Sequence, residues 1–198
     1  VYKRQITGST PAGKSVAQTS GSVLKKTVLE LGGSDPYVIL GDADLDIEVE
    51  SCITGRMLNT GQSCIAAKRL IAVDCVYNDF LLKLEQKLAE KIMGDPMEDV
   101  DIGPMVSIDA RNEVHDQVSR SIDAGAELRL GGLVPETEGA YYPITLLKDV
   151  QPGMAAFDEE IFGPVFSVIQ AKDEEDAIKL GNQTQFGLGA AVFTQDIE

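Results

Sequence analysis

The residues with most chemistry to offer are Cys64, which ends the stretch Asn59-Thr60-Gly61-Gln62-Ser63-Cys64, and Glu30, 34 positions earlier in Leu29-Glu30-Leu31-Gly32-Gly33. A thiol on a glycine-flexed loop after a helix is a candidate nucleophile, and a carboxylate is a candidate general base. Taken alone, an isolated cysteine reads as a small buried side chain. Glu30 taken alone reads as a solvated strand end, but its neighbours Val28, Leu29 and Leu31 are apolar. Such surroundings strip water from a carboxylate and strengthen it as a base.

Two further strings carry binding chemistry. In Gly8-Ser9-Thr10-Pro11-Ala12-Gly13, Pro11 suits the first turn of a helix, Gly8 lets the backbone approach a ligand, and free N–H groups at the helix start favour a pyrophosphate. The Ser9 hydroxyl adds a donor there, or serves simply as a helix cap. Gly13 closes the string. Glu159-Glu160-Ile161-Phe162-Gly163-Pro164 offers a carboxylate and an aromatic ring two residues apart.

These four motifs, in this order, resemble the aldehyde dehydrogenase superfamily, from about Ile6 to the end of the chain. Within it, Leu29 to Pro36, Asp42-Ala43-Asp44-Leu45 and Arg111 to Val118 are most similar to bacterial NAD(P)-dependent succinate-semialdehyde dehydrogenases. The resemblance implies that Cys64 adds to an aldehyde carbonyl and that Glu30 activates the water that hydrolyses the thioester. It implies Gly8, Ser9 and Gly13 as a phosphate-binding turn, Glu160 as the ligand of the nicotinamide ribose hydroxyls, and Phe162 as the ring packed near the nicotinamide. The cofactor is NAD or NADP and the partner a small aldehyde. The resemblance also implies a homodimeric or homotetrameric parent. It leaves another aliphatic aldehyde, or an inactive fragment or relative, as alternatives. In subgroup members an arginine stands six residues before the nucleophile, where this chain has Leu58, and a redox-switch cysteine stands where it has Ala66.

Composition is that of a globular chain. A formal charge of -15 over 198 residues makes nucleic acid and anionic membranes poor partners. No apolar run approaches the ~20 residues that span a bilayer, so the default location is cytoplasmic. Cys52, Cys64 and Cys75 form no Cys-x-x-Cys pair, and His115 is the single histidine, so no metal site is expected. Cys52 and Cys75 read as structural, and Glu48, Glu50 and Asp173 to Asp176 as solvated helix positions.

Helix and strand signals alternate, which predicts an α/β fold with a mainly parallel sheet. Strands are expected over 26–31, 37–40, 69–73, 128–130, 142–147, 165–171 and 189–193. Helices are expected over 44–59 and 174–182, and around the stripes Phe80/Leu84/Leu88/Ile92 and Val114/Val118/Ile122. Gly32-Gly33 marks a boundary between the end of a Rossmann-type NAD(P)-binding domain (6–32) and most of a catalytic domain (33–198). Val1 to Gln5 resemble the translation of a sequencing-library adapter and are set aside. The chain is expected to be an internal piece of a longer protein, lacking both ends.

Overall fold

The computed structural model describes residues 4–196. Two sheets divide the chain. β1 (Gln5–Thr7), α1 (Thr10–Gly21) and β2 (Val28–Glu30) form a small β-α-β unit whose strands pair in parallel, Gln5 with Val28 and Thr7 with Glu30. Part of the stretch set aside as an adapter therefore takes part in the fold: Gln5 opens β1, and Arg4 O accepts from Val28 N at 2.9 Å. Val1, Lys3 and the residue between them lie outside the described residues. Ser9 caps α1 through its hydroxyl, which accepts from Ala12 N, and Pro11 sits in the first turn.

From Ser34 onward the chain builds a six-stranded sheet. Its elements are β3 (Asp35–Ile39), α2 (Leu45–Met57), a 3-10 turn (Leu58–Gly61), β4 (Ala67–Val73), α3 (Asp74–Ala89), α4 (Ile108–Asp123), β5 (Glu127–Leu130), β6 (Thr145–Lys148), α5 (Ala155–Asp158), β7 (Val165–Ala171), α6 (Glu174–Asn182) and β8 (Ala191–Phe193). Spatial order is β5-β6-β7-β4-β3-β8, parallel throughout except for the β5–β6 pair.

The central strands are largely apolar because both of their faces are covered, with Lys68 and Arg69 of β4 as buried exceptions. Leu70, Ala72, Phe166 and Val168 pack with Val49, Cys52 and Ile53 of α2 and Phe80, Leu84 and Leu88 of α3. Ile71, Val73, Val165 and Ile169 pack on the opposite face with Val114 and Val118 of α4, Phe157 of α5 and Ala177 of α6. Asp173 caps α6, and Glu174, Glu175 and Asp176 fill its first turn, where the helix dipole favours acids.

Several expectations need correction. The strand expected over 26–31 shrinks to three residues and is not a buried core strand: Val28 is 60% exposed and Glu30 is exposed as well. The desolvating environment inferred for Glu30 is therefore not provided by its sequence neighbours. α3 stops at Ala89, leaving Ile92 outside it and exposed, because the chain turns there through bonds from Ile92 N, Asp101 N and Ile102 N. Tyr142 is buried ahead of β6 rather than within a strand. Glu48 is buried, not solvated, and burial, followed by nearby Asp44, pushes its carboxyl up. Cys75 is exposed, whereas Cys52 is buried in the core.

Candidate functional site

The turn that leads to Cys64 begins where α2 fails to continue. Asn59, Thr60 and Gly61 take φ values of 54°, 58° and 74°, a run of left-handed backbone that ends the helical period. For a β-branched residue such as Thr60 this conformation costs on the order of 1–3 kcal/mol and persists only where neighbours impose it. They do so here. Gln62 N donates to Asn59 O at 3.0 Å, Asn59 Nδ2 donates to Gln62 O at 2.9 Å, and Gln62 Oε1 accepts from Val106 N at 2.9 Å. A side chain at Gly61 would strike the Gly163 carbonyl, so the turn seats directly on the Gly163-Pro164 segment.

Arg56, the last basic residue of α2, locks that segment from beneath. It is fully buried and donates from Nε to Val165 O at 2.6 Å and from Nη2 to Ile161 O at 2.8 Å. Its Nε and Nη2 are thereby committed to backbone while Nη1 is buried without a partner among the described residues, and Leu58 nearby is 61% exposed.

One cleft of about 550 Å³ gathers the residues singled out in the sequence. Thr7, Gly8, Ser9, Glu30 and Leu31 form one wall, and Gln62, Ser63 and Cys64 another. Glu160 and Phe162 close it together with Ala110, Glu113, Val114 and Gln117 from α4. Cys64 is half-buried, Glu30 exposed and Phe162 41% exposed, so each can meet a ligand. Gly13 does not line the cleft. It is buried against Leu31, where a side chain would collide with that leucine, so its local job is to let α1 pack on the strand end. A separate hollow of about 150 Å³ beside Asp35 and Gly187 contains none of these residues.

Of the two adjacent acids, Glu159 faces away from the cleft into a bidentate pair with Arg120, at 2.7 and 2.9 Å, and accepts from Gln117 Nε2 at 3.0 Å. Those bonds hold its carboxyl below the usual range. Glu160 faces inward. Its Oε1 accepts from Gly33 N at 3.0 Å and lies 3.5 Å from Lys68 Nζ. Gly32 and Gly33 must be glycines here for reasons beyond a chain crossing: a side chain on Gly32 would overlap the Glu160 carboxylate, and a Cβ on Gly33 would lie 2.5 Å from the Cys64 carbonyl oxygen.

Two residues of the site escaped the sequence reading. Gln117 is buried and reaches Glu160 O at 3.2 Å, fixing the start of the Ile161-Phe162 segment. Lys68 is buried behind Cys64 and donates to Ser63 O at 2.8 Å and Cys64 O at 2.9 Å. Desolvation, then the neighbouring Arg56, pushes its ammonium down to about 8, against the opposing pull of Glu160 and Asp35. A lysine in an apolar run two residues before Leu70 was the available signal. His115 lies outside the cleft, 3.3 Å from the Tyr142 hydroxyl, and no cluster of three or more metal-ligating side chains occurs among the described residues.

The cradle fits a dinucleotide: close-approach glycines, a helix N-terminus at Ser9, an inward carboxylate and a ring on one concave surface. Comparison with known proteins agrees. The succinate-semialdehyde dehydrogenase of Deinococcus radiodurans, whose name specifies NADP(+), is 47% identical over 194 residues, 98% of this chain and 41% of its own length. The Escherichia coli K12 enzyme Sad, named for NAD(P)+, is 46% identical over 96% of this chain and 42% of itself. The crystal structure of lactaldehyde dehydrogenase from Escherichia coli superposes with a TM-score of 0.96 at 35% identity, over 100% of this chain and 42% of that one. The chain thus spans about two-fifths of the length of these relatives. The model of the aldehyde dehydrogenase family matches residues 1–198, and with the fold and cleft described above the chain belongs to that family.

Proposed function

We propose that this chain carries the catalytic half of an NAD(P)-dependent aldehyde dehydrogenase, with succinate semialdehyde as the substrate. The observation that carries the reading is the convergence of Cys64, Glu30 and Glu160 on one cleft from three separated stretches of sequence. The names of the relatives support the substrate and leave NAD and NADP both open.

In this reading the Cys64 thiolate adds to the aldehyde carbonyl carbon, and the new oxyanion is met by the Cys64 backbone N–H. A bound nicotinamide supplies the hydride acceptor. Loss of hydride from the tetrahedral carbon leaves an acyl thioester on Cys64. Glu30 then takes a proton from water, the resulting hydroxide adds to the thioester, the carboxylic acid departs with Cys64 again a thiolate, and Glu30 releases its proton to solvent. Its exposure at the strand end suits Glu30 to a water-facing role. Glu160 would hold the ribose hydroxyls, Phe162 would back the nicotinamide ring, and Gly8 and Ser9 would meet the pyrophosphate. Gly13 supports that turn by packing rather than by contact.

Residues 6–32 are then the end of a nucleotide-binding domain and 33–198 most of a catalytic domain, a division supported by the break between the two sheets. The parent would be a cytoplasmic homodimer or homotetramer. This chain by itself is expected to be inactive. No lysine or arginine lines the cleft among the described residues, so the cation that holds the substrate carboxylate would come from elsewhere in the enzyme.

The test uses the full reading frame. Formation of reduced NAD or NADP is followed with succinate semialdehyde and with a neutral aldehyde of equal length. Cys64→Ala should lower kcat by roughly 10⁴-fold or more. Glu30→Gln should lower it by about 10²–10⁴-fold while acyl-enzyme accumulates on Cys64. Turnover that survives Cys64→Ala would end the covalent reading, and a preference for the neutral aldehyde would end the substrate assignment.

A further inference from the structure

Lys68 has no part in the reaction steps above, yet its ammonium reaches both the Cys64 carbonyl and the Glu160 carboxylate. Its side chain is 2% exposed. Its ammonium has three N–H donors. Two are spent on Ser63 O and Cys64 O, at 2.8 and 2.9 Å, and the remaining reach is toward Glu160 Oε1 at 3.5 Å. The Phe162 ring lies 6.0 Å from the same nitrogen. Two carbonyls alone could be satisfied by a neutral donor. Burying an ammonium is costly unless a counter-charge faces it, and the carboxylate facing this one is Glu160.

We propose that Lys68 is a positioning residue that ties the peptide carbonyl of Cys64 to the Glu160 carboxylate, so that whatever engages Glu160 is felt at the nucleophile turn. The inference rests on the roles given above to Cys64 and Glu160. Glu160 Oε1 already divides itself between Gly33 N and Lys68. A ligand whose hydroxyls donate to that carboxylate weakens its hold on Lys68. The ammonium then donates more fully to the Ser63 and Cys64 carbonyls, which fixes the turn that aims the thiol. The charged groups around Lys68 are Arg56 from α2, Asp35 from β3 and Glu160 from the segment before β7. Of these, Arg56 donates to Val165 O and Ile161 O and leaves Nη1 without a partner among the described residues, Asp35 accepts from Gly189 N, and Glu160 is the member that lines the cleft and can meet a ligand.

The test is a double-mutant cycle in the full-length enzyme, read without turnover. The rate of Cys64 alkylation by iodoacetamide, followed on the Cys64 peptide by mass spectrometry, is measured for wild type, Lys68→Met, Glu160→Gln and the double variant, with no dinucleotide present. The double variant should depart from the product of the two single effects by more than about twofold, as expected for residues in contact. Single effects that multiply to within about twofold would overturn the proposal and leave Lys68 a donor to two carbonyls. If Lys68→Met does not fold, wild type against Glu160→Gln decides: a change of more than about twofold in alkylation supports the link, and a smaller one overturns it. Dinucleotide affinity of Glu160→Gln, from fluorescence titration, is the separate readout for the ribose assignment. Unchanged affinity would remove that assignment while the alkylation rates still decide for or against Lys68.

Discussion

The two walls of the cleft are built to different standards. The wall carrying Cys64, Glu160 and Phe162 hangs from the ends of β4 and β7, seven-residue strands paired to each other and buried almost throughout. The wall carrying Gly8, Ser9 and Glu30 hangs from two three-residue strands in a sheet of their own, whose residues are exposed or half-buried. On the first wall the backbone ahead of Cys64 is held in a strained left-handed run by a web of bonds. On the second, helix α1 and a few backbone bonds do the placing. Precision in this site is therefore unevenly distributed, and Cys64, the proposed nucleophile, sits on the rigid side.

The sharpest way to break that contrast is to compare stability losses. Leu70→Ala, at a fully buried position of β4, should destabilise the protein by about 2–5 kcal/mol through lost transfer energy and an unfilled cavity. Val28→Ala, 60% exposed in β2, should cost no more than about 0.5 kcal/mol. Chemical denaturation of the two variants measures both. Comparable losses would mean that the small β-α-β unit is as firmly built as the large sheet.

A pair of glycines sharpens the same contrast at the level of geometry. A Cβ on Gly33 would come within 2.5 Å of the Cys64 carbonyl oxygen, and neither side of that contact is a flexible side chain. Gly33→Ala must displace the nucleophile turn, and a displacement near 1 Å is enough to lower kcat by about 10²-fold. On the other wall, a Cβ on Gly8 meets only the Ile6 side chain at 3.8 Å, an ordinary contact. Gly8→Ala should leave kcat within about twofold and raise KM for the dinucleotide, because the added methyl intrudes where the backbone approaches the ligand. Steady-state kinetics separates the two; a kcat loss in Gly8→Ala as large as that in Gly33→Ala would show that both walls aim the thiol.

What the sequence made legible follows the same division. The large sheet was readable because buried parallel strands and amphipathic helices leave strong periodicity, as in Phe80, Leu84 and Leu88 or in the run Val165 to Ala171. The residues of the cleft were readable because glycine, cysteine and carboxylate occur there in short fixed strings. Periodicity says nothing of a helix that ends through left-handed backbone, so α2 was expected to run on to Asn59. It says little of a two-stranded sheet made of six residues, and Val28 and Leu29, apolar by type, were placed in a core they do not enter. Arg56 and Lys68 were missed because a basic residue on a helix or strand usually points to solvent. The partners of Arg56 are the distant carbonyls of Val165 and Ile161, brought near only by the tertiary fold, and those of Lys68 are the Ser63 and Cys64 carbonyls of a loop whose shape no periodicity reports.

The smallest expected effect concerns the rigid wall alone. Lys68 binds its proton with a pKa of about 8 in the folded chain against 10.5 for an ordinary lysine. Below pH 8 both folded and unfolded states carry the charge, so the folded state bears the full cost of holding an ammonium away from water. Between pH 8 and 10.5 the folded state has given up its proton while the unfolded state keeps it, and stability rises with pH across that window. Above it both forms are neutral and the dependence ends. Tyr77 and Tyr142, each pushed up from 10 to about 12 chiefly by burial, act with opposite sign from pH 10 upward, but they are common to both variants and cancel in a difference. The stability of wild type relative to Lys68→Met should therefore climb as pH is raised from 8 to 10.5, with denaturant midpoints at three or four pH values sufficient to see it. A flat difference would mean that Glu160 and the two carbonyls hold the ammonium charged throughout, and that the nucleophile turn rests on a permanent cation rather than a titrating one.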